Sequence, residues 1–193
     1  MSDINKEKQS VFCKQKISIR LAECSLFVVL MVVSAFIRIP FPLVPLSFQT
    51  VVAVSAGLLL GPWWGAASVA IYVFIGLLGL PVFTNGGGFS YVLNLTFGYV
   101  LGFIVAAFVA GLVRGGALKN LPRLIIAAVC GFLANYLIGV PYFAMIWHFY
   151  MMNGELLNAL IVNNLFYMPK DLVLCILAAF LSRAVSSALR GRR

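Results

Sequence analysis

The sequence predicts an all-α integral membrane protein, a six-transmembrane-helix bundle with both termini cytoplasmic. Three observations carry that expectation. The 193 residues are 63% hydrophobic and 10% charged, with a mean hydropathy of +1.05, whereas soluble domains are about half apolar and about a quarter charged. No charged residue occurs from Ile39 through Val113, an interval long enough for three spans of about 20 residues each. The net charge of +9 is also unevenly placed. Lys6, Lys8, Lys14, Lys16 and Arg20 precede the first apolar run. Arg114, Lys119 and Arg123 share one connection, and Arg183, Arg190, Arg192 and Arg193 close the chain. Basic residues stay on the cytoplasmic side of spans, so both ends are expected inside and the number of crossings even. This placement points to membrane lipid as the surrounding partner and away from nucleic acid.

Residues 1–16 read as a basic cytoplasmic tail, 17–189 as the transmembrane domain and 190–193 as a second basic tail. The first span covers about Ile17 to Ile37, with Arg20 and Glu23 at i, i+3 spacing for a local ion pair. The link from Ile39 to Thr50 contains Pro40, Pro42 and Pro45, which cannot continue a helix. Apolar and proline-stiffened, it is expected to fold over the bundle mouth as a lid ending at Gln49. The second span, about Thr50 to Leu60, breaks at Gly61-Pro62 before Trp63 and Trp64, a pair suited to the membrane interface. The third is about Ala66 to Leu80.

Between this span and the next stand Thr84, Asn85, Gly86, Gly87, Gly88 and Ser90, with Asn94 just inside the next span. Irregular backbone at membrane depth survives only inside protein or against a cavity. The glycines therefore mark either a close approach of main chain to a ligand or a tight external turn. The fourth span, about Tyr91 to Val113, carries Gly98, Gly102 and Gly111, which permit close helix contact. The fifth runs from about Leu124 to Tyr150. Within it Asn135, Gly139 and Tyr142 share a face, for interhelical hydrogen bonding or for ligand contact. His148, beside Trp147 and Tyr150, is expected at the outer interface.

Residues 151–164 read as an external connection with room for a short amphipathic helix. The last span is expected to start at Pro169, a favoured first-turn residue, and to reach about Leu189, with Lys170 and Asp171 in its first turn. A carboxylate at bilayer midplane costs about 2.5–3.5 kcal/mol on insertion scales. Asp171 therefore faces a polar cavity or serves as a first-turn carboxylate favoured by the helix N-terminus.

The same inventory argues against enzymatic chemistry. Cys13, Cys24, Cys130 and Cys175 are scattered singly, which suits unpaired thiols and no metal site. One histidine, no HExxH and no second carboxylate beside Asp171 leave no catalytic constellation. No catalytic residue, metal or cofactor is expected, nor a cleavable signal peptide, and the length leaves no room for an ATPase domain.

In RIPFPLVPLSFQT (38–50), GLLLGP (57–62), GLPVF (79–83), GGGF (86–89), TFGYVLGF (96–103), YLIGVPY (136–142) and Pro169 with Asp171, the chain resembles the BioY family. These are biotin-specific substrate-binding subunits of energy-coupling-factor (ECF) vitamin transporters. The blocks run in order over almost the whole hydrophobic chain. The resemblance implies a multi-pass protein of a bacterial plasma membrane, with a pocket near the extracellular side covered by the 1–2 and 3–4 loops. It also implies biotin as substrate, and coupling to a membrane scaffold subunit and two ATPase subunits. Stand-alone biotin transport, or capture of another small vitamin or carboxylate, are the alternatives. Four departures stand out: Lys170 where the family usually has glycine, Leu174 where it has lysine, Leu95 where proline is common, and Ser25 and Val29 at first-helix positions that usually carry alanine.

Residue chemistry and the resemblance together suggest roles. Asp171 accepts from the ureido N–H groups of biotin, a charge-assisted bond. Asn85, Gln49 and the amides of Gly86, Gly87 and Gly88 serve its carbonyl or carboxylate. Tyr99 and Tyr142 wall the ring system, Asn135 adds a polar contact, and Lys170 pairs with the carboxylate or snorkels to the interface.

Overall fold

In hydrocarbon every backbone N–H and C=O must find an internal partner, so long apolar runs fold as helices. The computed structural model describes the backbone of residues 2–39, 46–151 and 156–190, and the side chains of residues 17–37, 47–150 and 168–188. Helix α1 spans Ser2–Phe36. Two short strands follow, β1 Arg38–Ile39 and β2 Leu46–Ser47, antiparallel with Arg38 opposite Ser47. Then come α2 Gln49–Leu60, α3 Pro62–Leu77, a 3-10 turn Phe89–Leu93 and α4 Phe97–Arg114. Helix α5 covers Leu121–Ile146 and runs into a π-helical turn, Trp147–Met151. Helix α6 covers Leu156–Arg190. Among the described residues four stretches are long and apolar enough to cross a membrane: Ile17–Phe36, Phe97–Arg114, Leu121–Tyr150 and Met168–Ala188. Helices α2 and α3 are shorter apolar helices of 12 and 16 residues.

Several boundaries differ from the sequence reading. Residues 2–16, expected as a tail, continue α1 backwards. The proline lid at 40–45 lies outside the described residues; its flanks pair as β1 and β2. Helix α4 begins at Phe97, because residues 89–93 take the 3-10 turn. The largest correction concerns α6. It begins at Leu156, so Pro169 lies inside the helix, as Pro141 does inside α5. Lys170 and Asp171 are therefore not in a first turn, and helix-terminal stabilisation of the carboxylate is overturned. An interior proline removes one i→i−4 hydrogen bond, and a membrane helix tolerates that where neighbouring groups satisfy the freed carbonyl.

Packing centres on α2, which touches α1, α3, α4, α5 and α6, while α4 and α5 form the most extensive pair. Small residues allow these approaches. A Cβ on Gly57 would stand 2.1 Å from the Ala107 carbonyl oxygen. Along the antiparallel α4–α5 seam, Gly98 lies under Tyr142, Gly139 under Tyr99 and Gly102 under Asn135. The shared face of Asn135, Gly139 and Tyr142 thus packs on α4. The bend between α2 and α3 falls at Gly61, whose φ of 91° suits glycine. Arg114 reaches back from α4 to donate to the carbonyls of Leu58 and Leu59 at the end of α2, and Arg123 donates to Val113 at the end of α4. Cations at helix C-termini complement the dipole.

The outer surface is apolar in the way lipid requires. Leu26, Val29, Phe74, Leu137, Leu177 and Leu181 are all exposed. Trp63 and Trp64 stand exposed beside the Gly61 bend, and His148 is exposed beside Phe149. Arg20 and Glu23 pair at 3.4 Å, as their spacing suggests. Cys24, Cys130 and Cys175 are free thiols; the side chain of Cys13 lies outside the described residues.

Candidate functional site

Three helices converge on one carboxylate. Asp171 of α6 is 5% exposed, and its Oδ2 accepts from Thr50 Oγ1 of α2 and from Tyr136 OH of α5, each at 3.0 Å. On the other side Lys170 Nζ stands 2.8 Å from Oδ1 in an ion pair. The same ammonium donates to the Ser47 carbonyl at 2.7 Å and lies 5.6 Å from the centroid of the Phe48 ring, a cation–π distance. A buried carboxylate without a counter-charge would be strongly destabilising, and Lys170 supplies that charge. Apart from that ion pair, Oδ1 has no hydrogen-bond partner among the described residues. A carboxylate offers about four lone-pair sites, so the group is held firmly through Oδ2 and keeps acceptor capacity on Oδ1.

The cluster continues through Ser47 and Gln49. Gln49 is buried; its Oε1 accepts from Ser47 Oγ at 3.3 Å and its Nε2 donates to Tyr72 OH at 2.5 Å. Tyr72 OH in turn donates to the Val82 carbonyl at 3.0 Å, in the glycine loop. That loop is braced against α3 and within itself. Gly88 N–H donates to the Gly76 carbonyl at 2.7 Å, and Gly86 and Phe83 exchange main-chain bonds of 3.3 and 2.9 Å. Gly86 and Gly88 have φ of 116° and 100°, and a Cβ on Gly87 would stand 2.0 Å from the Leu80 oxygen, so all three glycines answer backbone demands. Beside the loop a polar chain runs Thr84, Tyr91, Thr96, Asn94. Thr96 Oγ1 donates to Asn94 Oδ1 at 2.9 Å, so it accepts from Tyr91 OH at 2.8 Å. Tyr91 OH therefore accepts from Thr84 Oγ1 at 3.1 Å.

The residues singled out by sequence thus fall into groups. Asp171, Lys170 and Gln49 belong to one connected cluster, and half-buried Tyr99 joins it through an edge-on contact with Tyr136 at 5.7 Å. Tyr142 is further off, donating to the Val92 carbonyl and meeting Phe97 at 6.0 Å between ring centroids. Asn85 is on the exposed side of the glycine loop. Asn135 is 1% exposed, turned toward Gly102, and its Oδ1 has no hydrogen-bond partner among the described residues. The amide of Gly86 is engaged within the loop and that of Gly88 by Gly76 of α3. Sequence reasoning missed Thr50, Tyr136 and Tyr72 as parts of this cluster. Their signal was chemical: hydroxyls in an apolar chain need partners when buried, and Asp171 needed donors.

A buried, neutralised carboxylate on a helical membrane scaffold fits a site for a small donor-bearing molecule, and comparison with known proteins decides the family. The BioY family model matches residues 7–191. The chain belongs to the BioY family. A member from Lysinibacillus sphaericus, named as a probable biotin transporter, is 36% identical over 182 residues, covering 93% of each chain. The biotin transporter of Thermotoga maritima is 32% identical over 164 residues, covering 84% of this chain and 93% of its own. Among solved structures, the S-component for biotin from an ECF-type ABC transporter superposes with a TM-score of 0.73 at 26% identity, covering 90% of this chain and 93% of that one. These BioY relatives are named as transporters, not enzymes.

Proposed function

We propose that this chain is the membrane-embedded substrate-binding subunit of a biotin uptake system, working with a membrane scaffold subunit and two ATPase subunits in the plasma membrane. The observation that carries the binding part is the Asp171 site: a buried carboxylate, fixed through Oδ2, neutralised by Lys170, with acceptor capacity on Oδ1. The ureido group of biotin offers N–H donors, and a charge-assisted bond to Oδ1 is stronger than a neutral one. Gln49 lies next in the cluster and offers an amide to the ureido carbonyl or N–H. Tyr99 and Tyr142 supply ring faces for the apolar sulfur ring. Asn85, Asn135 and the glycine loop at Gly86, Gly87 and Gly88 complete the contacts, while the ammonium of Lys170 balances the charge of Asp171. The names of the relatives and the likeness to a biotin S-component support this choice of substrate.

Six spans with both termini cytoplasmic, residues 17–189 as the binding domain and basic tails at 1–16 and 190–193 complete the reading. Helices α2 and α3 then serve as short spans bent at Gly61. Accumulation against a gradient needs an energy source, and the sequence contains no nucleotide-binding segment, which supports separate ATPases. The test is direct titration of the purified, folded chain with biotin. Saturable binding that a chemically distinct vitamin does not compete is the expected result; no saturable binding by folded protein overturns the proposal.

A further inference from the structure

Tyr72 is fully buried in α3, and its hydroxyl stands between two segments far apart in sequence. The Val82 carbonyl can only accept, so the single hydroxyl proton of Tyr72 goes to it. The oxygen must then accept from Gln49, which assigns the nitrogen of the Gln49 amide to Tyr72 and the oxygen to Ser47. The Tyr72 ring is held edge-on by Phe83 at 5.5 Å. Phe83 is itself seated on Gly76, where a Cβ would meet its ring at 2.2 Å. Ring and hydroxyl thus have separate tasks: the ring packs, and the hydroxyl ties Gln49 to the glycine loop.

We infer that Tyr72 is a positioning residue: it holds the Gln49 amide in one orientation and joins the start of α2 to the glycine loop, so that loosening one of these segments loosens the other. This deepens the proposed function, since Gln49 then meets a ligand with its carbonyl oxygen and one remaining N–H. Lys170, bonded to the Ser47 carbonyl, extends the same linkage to α6.

Hydrogen exchange read by mass spectrometry on the full chain, without added biotin, tests the coupling. In Tyr72→Phe the ring stays and both hydroxyl bonds go. Peptides covering residues 46–56 and 79–94 should both exchange roughly tenfold faster, the effect of losing about 1.4 kcal/mol of hydrogen bonding. Gln49→Leu should speed exchange in 79–94, a segment it reaches through Tyr72, and should add nothing in the Tyr72→Phe background. Unchanged exchange in 79–94 for folded Gln49→Leu, or effects of the two substitutions that multiply, would overturn the inference. Should Tyr72→Phe fail to fold, Gln49→Leu alone decides by the same reading. Biotin titrated into wild type forms a separate arm: absence of binding there counts against the proposed function, while the exchange results without biotin still decide the coupling.

Discussion

Thr50 and Asp171, on α2 and α6, are joined by a hydrogen bond of 3.0 Å. Tyr136 of α5 donates to the same oxygen at the same distance, so a single carboxylate oxygen ties three helices together. With Oδ2 so fixed, the direction in which Oδ1 faces is set by the scaffold. Under the proposed function, this supporting shell preorganises the carboxylate for its ligand.

Removing either donor should be felt in stability. Thr50→Val nearly keeps the shape and deletes one bond to a charged group, which costs about 1.5–3 kcal/mol. Tyr136→Phe should cost a similar amount, and the double variant should depart from the sum because both act on one oxygen. Unfolding midpoints in detergent check this; unchanged midpoints in both variants would contradict the arrangement.

The close contact of α2 with α4 gives a second expectation. Gly57→Ala drives a Cβ into the Ala107 backbone and should destabilise by about 1–3 kcal/mol or more, the usual cost of overpacking. Gly116→Ala meets nothing within 4 Å and should be neutral. Measured side by side, equal midpoints for the two variants would argue against the packing.

Topology is read from the basic residues. Reporter fusions at residues 10, 118 and 193 should report cytoplasm, and fusions at 43, 86 and 154 the outside. A reproducible external C-terminus would rule out six spans.

Energy coupling has its own assay. Concentrative biotin uptake in a biotin-requiring host should need the scaffold and ATPases. Accumulation by the lone chain in liposomes, driven by an ion gradient, would contradict the coupling; downhill movement alone would not.

The class and most of the helices were legible in the sequence because hydrocarbon leaves so few backbone solutions. The Gly61-Pro62 bend, the Arg20–Glu23 pair and the shared face of Asn135, Gly139 and Tyr142 followed from spacing. What spacing hid was the partner across a helix interface. Asn135 and Gly102, or Thr50 and Asp171, are neighbours only after folding. Pro169 misled because proline is favoured at a helix start and also tolerated within a packed membrane helix. The glycines at 86, 87 and 88 read in sequence as either a ligand approach or a tight turn; only folding shows the Gly86 amide bonded to Phe83 within the loop and the Gly88 amide bonded to Gly76 of α3.

The most direct measurement of the central claim is biotin titration of Asp171→Asn beside wild type, in folded, detergent-stable protein. The substitution keeps the size of the side chain and removes the charged acceptor, so affinity should fall roughly ten- to a hundredfold, matching about 1.5–3 kcal/mol. Glu23→Gln, at a half-buried position on α1, controls for general charge effects and should bind as wild type does. An Asp171→Asn protein that is well folded and binds biotin with unchanged affinity would contradict the account, and would leave Asp171 as a tie between helices with no ligand to hold.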